Sequence, residues 1–137
     1  IIPPRKKAVG VDIPQRLTKY FETSFSHEEA NRHKEGIKYL GELRAQCLHI
    51  TEPTESNREI CMRYWAQLHL LEKRLDFQQV GLQFIWYDAF KGPTALAPAQ
   101  GKASSTSLHF EISSILFNNA VVFATHGSKE FEAGTPE

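Results

Sequence analysis

The chain has 137 residues, 41% apolar and 23% charged, with sixteen basic side chains balanced by sixteen acidic ones. That length fits one domain burying roughly two-thirds of its unfolded surface, and the apolar content excludes a disordered chain. Zero net charge argues neither for nucleic acid nor for an acidic substrate, and leaves a local basic patch open.

Ile1 to Val11 is basic and contains Pro3 and Pro4; Lys7, Val9 and Val11 alternate as a short edge strand does. Asp12 is placed to cap a first helix with Pro14 in its first turn and Ile13, Leu17, Tyr20 and Phe21 as its inner stripe. Ser26 and Glu29 form a capping box opening a second helix. Its line Gly36, Leu40, Leu43, Cys47 and Ile50 is a seam for a neighbouring helix. Gly36 and Gly41 would each cost about 1 kcal/mol in an exposed helix, so close helix approach is expected at both. Pro53 ends this segment. Ser56 and Glu59 repeat the box, and Ile60, Cys61, Tyr64, Leu68, Leu71 and Leu75 line a third helix, antiparallel to the second.

Phe77 to Gly81 turn the chain into a strand in which Leu82, Phe84 and Trp86 point one way and Gln83, Ile85 and Tyr87 the other. The Pro/Ala-rich stretch Gly92 to Gly101 reads as a loop, and Lys102 to Thr106 as a short returning strand. Ser107 then caps a fourth helix with the stripe Leu108, Ile112, Ile115, Leu116, Asn119 and Phe123. Phe110, Phe117, Val121 and Val122 fall outside that stripe, so this helix is apolar nearly all round and needs cover on several sides. Residues 126–137 are polar and expected to fray as a disordered tail.

Motifs for chemistry fail on inspection. His27-Glu28 begins like a zinc-protease signature, but Asn31 and His33 break the HExxH spacing. Ser104, Ser105 and Ser107 lack the G-x-S-x-G elbow of a hydrolase and read as a loop and a cap. Asp88 and Glu111 could be an acid–base pair, although Glu111 is better explained as a first-turn carboxylate favoured by the helix dipole. Trp86 and Tyr87 could stack on bases, but no basic pattern surrounds them and core packing is the stronger reading. Cys47 and Cys61 match no metal spacing and read as buried free thiols. No catalytic, cofactor-binding or metal residue is assigned, and no nucleic-acid or small-molecule partner is expected.

The longest apolar run, Ile115 to Ala124, is interrupted by Asn118 and Asn119 and is about half of what a bilayer needs. Arg5, Lys6 and Lys7 precede no signal-peptide core, and a cytoplasmic protein is expected. The same basic run could contribute weak contact with acidic lipid. Ile1 is not an initiator methionine, so a fragment or processed form is expected.

At Trp86-Tyr87-Asp88 and at Leu108, Phe110, Glu111, Leu116, Phe117, Asn118 and Ala120 the chain resembles the Bro domain family of ALIX, rhophilin and PalA. The family pattern is an aromatic strand ending in W-Y/K-D, a variable loop, then a helix close to L-x-F-E-K-x-x-x-L-F-N-x-A-A-L. Tyr20-Phe21, Glu42-Leu43-Arg44 and the Y-x-x-Q-L of Tyr64, Gln67 and Leu68 are similar to its upstream helices. Ile112 and Asn119 depart from it, standing where a lysine and an apolar residue are usual.

The resemblance implies a mostly α, α+β fold: antiparallel helices and a small antiparallel sheet, the N-terminal part of a curved TPR-like helical domain. Residues 1–125 would be that portion, and the matched residues are read as structural, with Trp86 packing on Phe110. The implied function is a non-enzymatic, endosome-associated adaptor whose full domain binds C-terminal helices of ESCRT-III subunits, through a patch expected beyond Glu137. The alternative is the scaffold part of a larger signalling protein or enzyme, as in PalA-like pH signalling, rhophilin-like Rho signalling or a phosphatase-linked member.

Overall fold

A computed structural model describes residues 5–87 and 102–134. Elements follow in the order β1 (Lys7–Ala8), α1 (Ile13–Ser24), α2 (His27–Arg32), α3 (Lys34–Leu48), α4 (Glu55–Arg74), α5 (Phe77–Val80), β2 (Phe84–Tyr87), β3 (Lys102–Ser105) and α6 (Leu108–Gly134). The fold is mostly helical, with a small antiparallel sheet, as the resemblance implies.

Local chemistry starts and stops each helix. Asp12 accepts the amide of Gln15 at 3.0 Å to open α1, which buries Ile13, Leu17 and Tyr20. Ser26 accepts the amide of Glu29 at 3.1 Å to open α2. The single second helix expected from the sequence is interrupted at His33, whose φ of −97° and ψ of 6° lie outside helical values. Its amide still donates to the Glu29 carbonyl and its carbonyl accepts from Ile37, so the irregularity is confined to one residue. The His33 ring packs on Phe21, with centroids 5.1 Å apart.

The buried line of α3 is Ile37, Leu40, Leu43, Arg44 and Cys47, not one running through Gly36. The two glycines part company here. A Cβ at Gly41 would stand 3.0 Å from Pro14 Cγ, so α1 and α3 do approach closely there, whereas one at Gly36 would meet nothing within 4 Å. Thr54, not Ser56, caps α4: its hydroxyl accepts the amide of Asn57 at 3.1 Å. Glu59 instead pairs with Arg63 one turn on. Asp76 opens the one-turn α5, and Gly81 ends it at φ +73°, a left-handed value that glycine adopts without strain.

The strand order is β1-β2-β3, antiparallel throughout, with Ala8 opposite Trp86 and Trp86 opposite Ala103. Leu82, Phe84 and Trp86 face the core as the alternation requires, while Tyr87 is exposed. Ser107 accepts the amide of His109 at 3.2 Å at the start of α6. This helix runs opposite to α4: His109 pairs with Glu72 near the end of α4, and Val122 borders Pro53 and Thr54 at its beginning. Where fraying is expected beyond Thr125, the helix continues to Gly134.

The phase of α6 also differs from the expected stripe. Leu108, Glu111, Ser114, Ile115, Val121 and Val122 are buried, while Leu116 and Phe123 are 47% and 40% exposed. The helix is rotated so that a carboxylate, not a phenylalanine, meets the core.

Candidate functional site

That carboxylate is the centre of the molecule. Glu111 is fully buried and accepts hydrogen bonds from three side chains on three other elements: Arg44 Nε of α3 at 2.6 Å, Tyr64 Oη of α4 at 2.7 Å and Trp86 Nε1 of β2 at 2.7 Å. A second guanidinium nitrogen of Arg44 donates to the other carboxylate oxygen at 3.4 Å, and a third to the Val9 carbonyl at 3.3 Å. The guanidinium also lies over the rings of Phe84 and Trp86, 5.7 and 6.0 Å from their centroids. Among the described residues no buried side-chain nitrogen or oxygen lacks a partner, as a polar core must achieve to be tolerated.

Electrostatics follow this geometry. Burial alone would lower the pKa of Arg44, but its hydrogen bond to and charge attraction for Glu111 outweigh that and raise it. Tyr64 is held well above the usual phenol range by burial first, then by the charge of Glu111 and the bond to it. The donors are committed to Glu111 and the Val9 carbonyl, and all four side chains are buried. The site therefore clamps four elements together and offers no reacting atom to a substrate.

A second polar tie secures the edge strand. The Asn118 side chain accepts the Lys6 amide at 2.7 Å and donates to the Lys6 carbonyl at 2.9 Å, pairing with the backbone as a neighbouring strand would. Arg5 donates to the Ile50 carbonyl at 2.6 Å, just past the end of α3. The Lys6 ammonium sits 5.3 Å from the Phe117 ring centroid.

The residues singled out from the sequence thus divide. Trp86, Leu108 and Glu111 are buried; Phe110, Phe117 and Asn118 are half-buried; Tyr87, Leu116 and Ala120 are exposed. Asp88, and with it the Asp88–Glu111 pairing, lies outside the described residues. The link from Trp86 to α6 is the indole bond to Glu111, with Phe110 at the margin of the core. Glu111 is therefore more than a dipole-stabilised first-turn carboxylate. Arg44 and Tyr64 were not identified as its partners from sequence. The available signal was an arginine beside a buried helical line, between Leu43 and Cys47.

A model of the BRO1-like domain matches residues 1–136. The chain belongs to the BRO1-like domain family. It is 33% identical over 116 residues to ALG-2 interacting protein X of Dictyostelium discoideum, covering 83% of this chain and 14% of that protein. It is 30% identical to the vacuolar protein-sorting protein bro1 of Emericella nidulans, covering 95% and 12%. Among solved structures, the ALIX BRO1 domain in complex with CHMP4C superposes with a TM-score of 0.73 at 27% identity, covering 89% of this chain and 35% of that one. The chain thus spans about one-seventh or less of these curated relatives.

Proposed function

We propose that this chain is the scaffolding N-terminal portion of a BRO1-like adaptor, one that works in endosomal sorting by binding ESCRT-III subunits and carries out no chemistry of its own. The observation that carries this reading is the likeness to the BRO1 domain bound to CHMP4C. The sorting name of the fungal relative supports the pathway. The Glu111 cluster supports the mechanical part: a core pinned by directional bonds holds its helices at fixed angles, which a surface that receives a partner helix needs. The cytoplasmic face of endosomes is the corresponding location, and no helix among the described residues is long and apolar enough to cross a membrane. Arg5 and Lys6 are engaged within the fold, which favours an adaptor role over a membrane-binding one for the basic run.

The test is fluorescence anisotropy with a labelled C-terminal helix of a CHMP4-type subunit. A protein carrying the complete domain is expected to bind it, and residues 1–137 alone to bind at least about tenfold more weakly, a loss of roughly 1.4 kcal/mol. Failure of the complete protein to bind any such helix would overturn the partner assignment, and equal affinity of the short chain would overturn its purely scaffolding role.

A further inference from the structure

The fold brings the chain's two cysteines together from different helices. Cys47 lies in the last turn of α3 and Cys61 in the first half of α4; both are buried and free. They share the lining of one small cavity of about 10 Å³ with Arg5, Asn118 and Asn119. That is about the size of one water molecule. Cys47 Sγ donates to the carbonyl oxygen of Ile60, the residue before Cys61, at 3.8 Å, so its side chain reaches across to α4 next to Cys61.

The two sulfurs are not equivalent. Cys47 faces the negative end of its helix. The neighbouring Cys61 side chain, and then burial, raise its thiol pKa far above the ordinary value. At Cys61 the neighbouring Cys47 side chain outweighs burial and lowers the pKa. Cys61, away from that negative end and with Arg5 lining the same cavity, is the better placed of the two to carry a thiolate.

We propose that Cys47 and Cys61 form an oxidisable dithiol, a modification site at which a peroxide-class oxidant joins α3 to α4 through a disulfide. The Cys61 thiolate attacks one peroxide oxygen, the O–O bond breaks, and Cys61 becomes a sulfenic acid as hydroxide leaves and is protonated to water. Cys47 then attacks the Cys61 sulfur, the S–O bond breaks, and a second water departs with the Cys47 proton. Two thiols and one hydrogen peroxide give one disulfide and two waters, a two-electron oxidation of the pair. The new bond closes the Leu48–Ile60 connection into a covalent loop beside the Asn118–Lys6 tie. Oxidation is therefore expected to stiffen the wall on which α6 rests.

The wild-type protein, folded and reduced, is treated with one equivalent of hydrogen peroxide, quenched with N-ethylmaleimide and mapped by mass spectrometry. The expected result is a Cys47–Cys61 linked peptide, loss of maleimide from both cysteines, reversal by dithiothreitol, and a Tm at least about 3 °C higher in the oxidised form. In Cys47→Ser, Cys61 is expected to stop at the sulfenic acid and be trapped by dimedone; in Cys61→Ser, trapping at Cys47 is expected to fall at least about tenfold, because Cys47 lies at the negative end of its helix. Both cysteines still maleimide-labelled when a parallel glutathione sample treated with the same peroxide is fully oxidised, or sulfinic acids with no linked peptide, would overturn the proposal. The wild-type map decides it even where a serine variant fails to fold.

Discussion

The two sides of α6 depart from a clean amphipathic split. Its inner side carries Glu111, Ser114 and Asn118 against the core and the edge strand beside Leu108, Ile115, Val121 and Val122, while its outer side shows Leu116 and Phe123 to solvent. Apolar burial has no preferred rotation, because one aliphatic contact replaces another at little cost. Hydrogen bonds to one carboxylate from an indole, a phenol and a guanidinium are satisfied in one geometry only. The phase of α6 is therefore set by polar specificity, and the apolar residues on its far side are left exposed.

The most damaging way to break the inner side is to remove the acceptor. Glu111→Leu is expected to destabilise the protein by about 3–5 kcal/mol in a denaturant melt, because Arg44 is left buried without its partner. Trp86→Phe keeps most of the ring and loses one hydrogen bond to a charged group, so a cost of about 1.5–3 kcal/mol is expected; a cost near zero would show that the indole contributes shape alone.

Alkaline titration sharpens the same contrast. The folded-state pKa of Tyr64 is raised, so its contribution to stability is fully present below the ordinary phenol value of about 10 and is lost as pH rises through the higher folded value. Above pH of about 10 the unfolded chain binds fewer protons at this position than the folded one, and ΔG of unfolding falls. Melts between pH 9 and 12 are expected to show that decline in the wild type and a shallower one in Tyr64→Phe.

A smaller comparison of the same kind exists on α3. Gly41→Ala forces a methyl against Pro14 and is expected to cost about 1–3 kcal/mol, while Gly36→Ala enters open space and should gain up to about 1 kcal/mol from helix propensity. The smallest effect belongs to the outer side of α6: Leu116→Ser is expected to change stability by no more than about 0.5 kcal/mol. A larger loss in thermal melts would mean that this side is covered in solution.

Much of this architecture was legible because it rests on local chemistry. The alternation of Leu82, Phe84 and Trp86 gave the inward face of β2, and Asp12, Ser26 and Ser107 marked helix starts that the structure confirms. The choice of Thr54 over Ser56 as a cap is not legible in sequence, since both hydroxyls precede a helical run; Asn57, whose amide Thr54 caps, also bonds back to the Glu52 carbonyl. The central cluster was the least legible. An arginine and a glutamate 67 residues apart carry no mark in the sequence that they pair. Only their meeting in space makes burial tolerable for both. Because that pairing is invisible in sequence, the stripe expected from the apolar residues of α6 differs from the rotation observed.

A double-mutant cycle between Arg44 and Glu111 tests most directly whether this buried pair organises the domain. Arg44→Met, Glu111→Leu and the combined variant are compared with wild type in urea melts. The expected coupling is at least about 2 kcal/mol, with the double variant more stable than either single one, since removing both charges leaves none unpaired. Single-variant losses that simply add within about 0.5 kcal/mol would contradict the pairing.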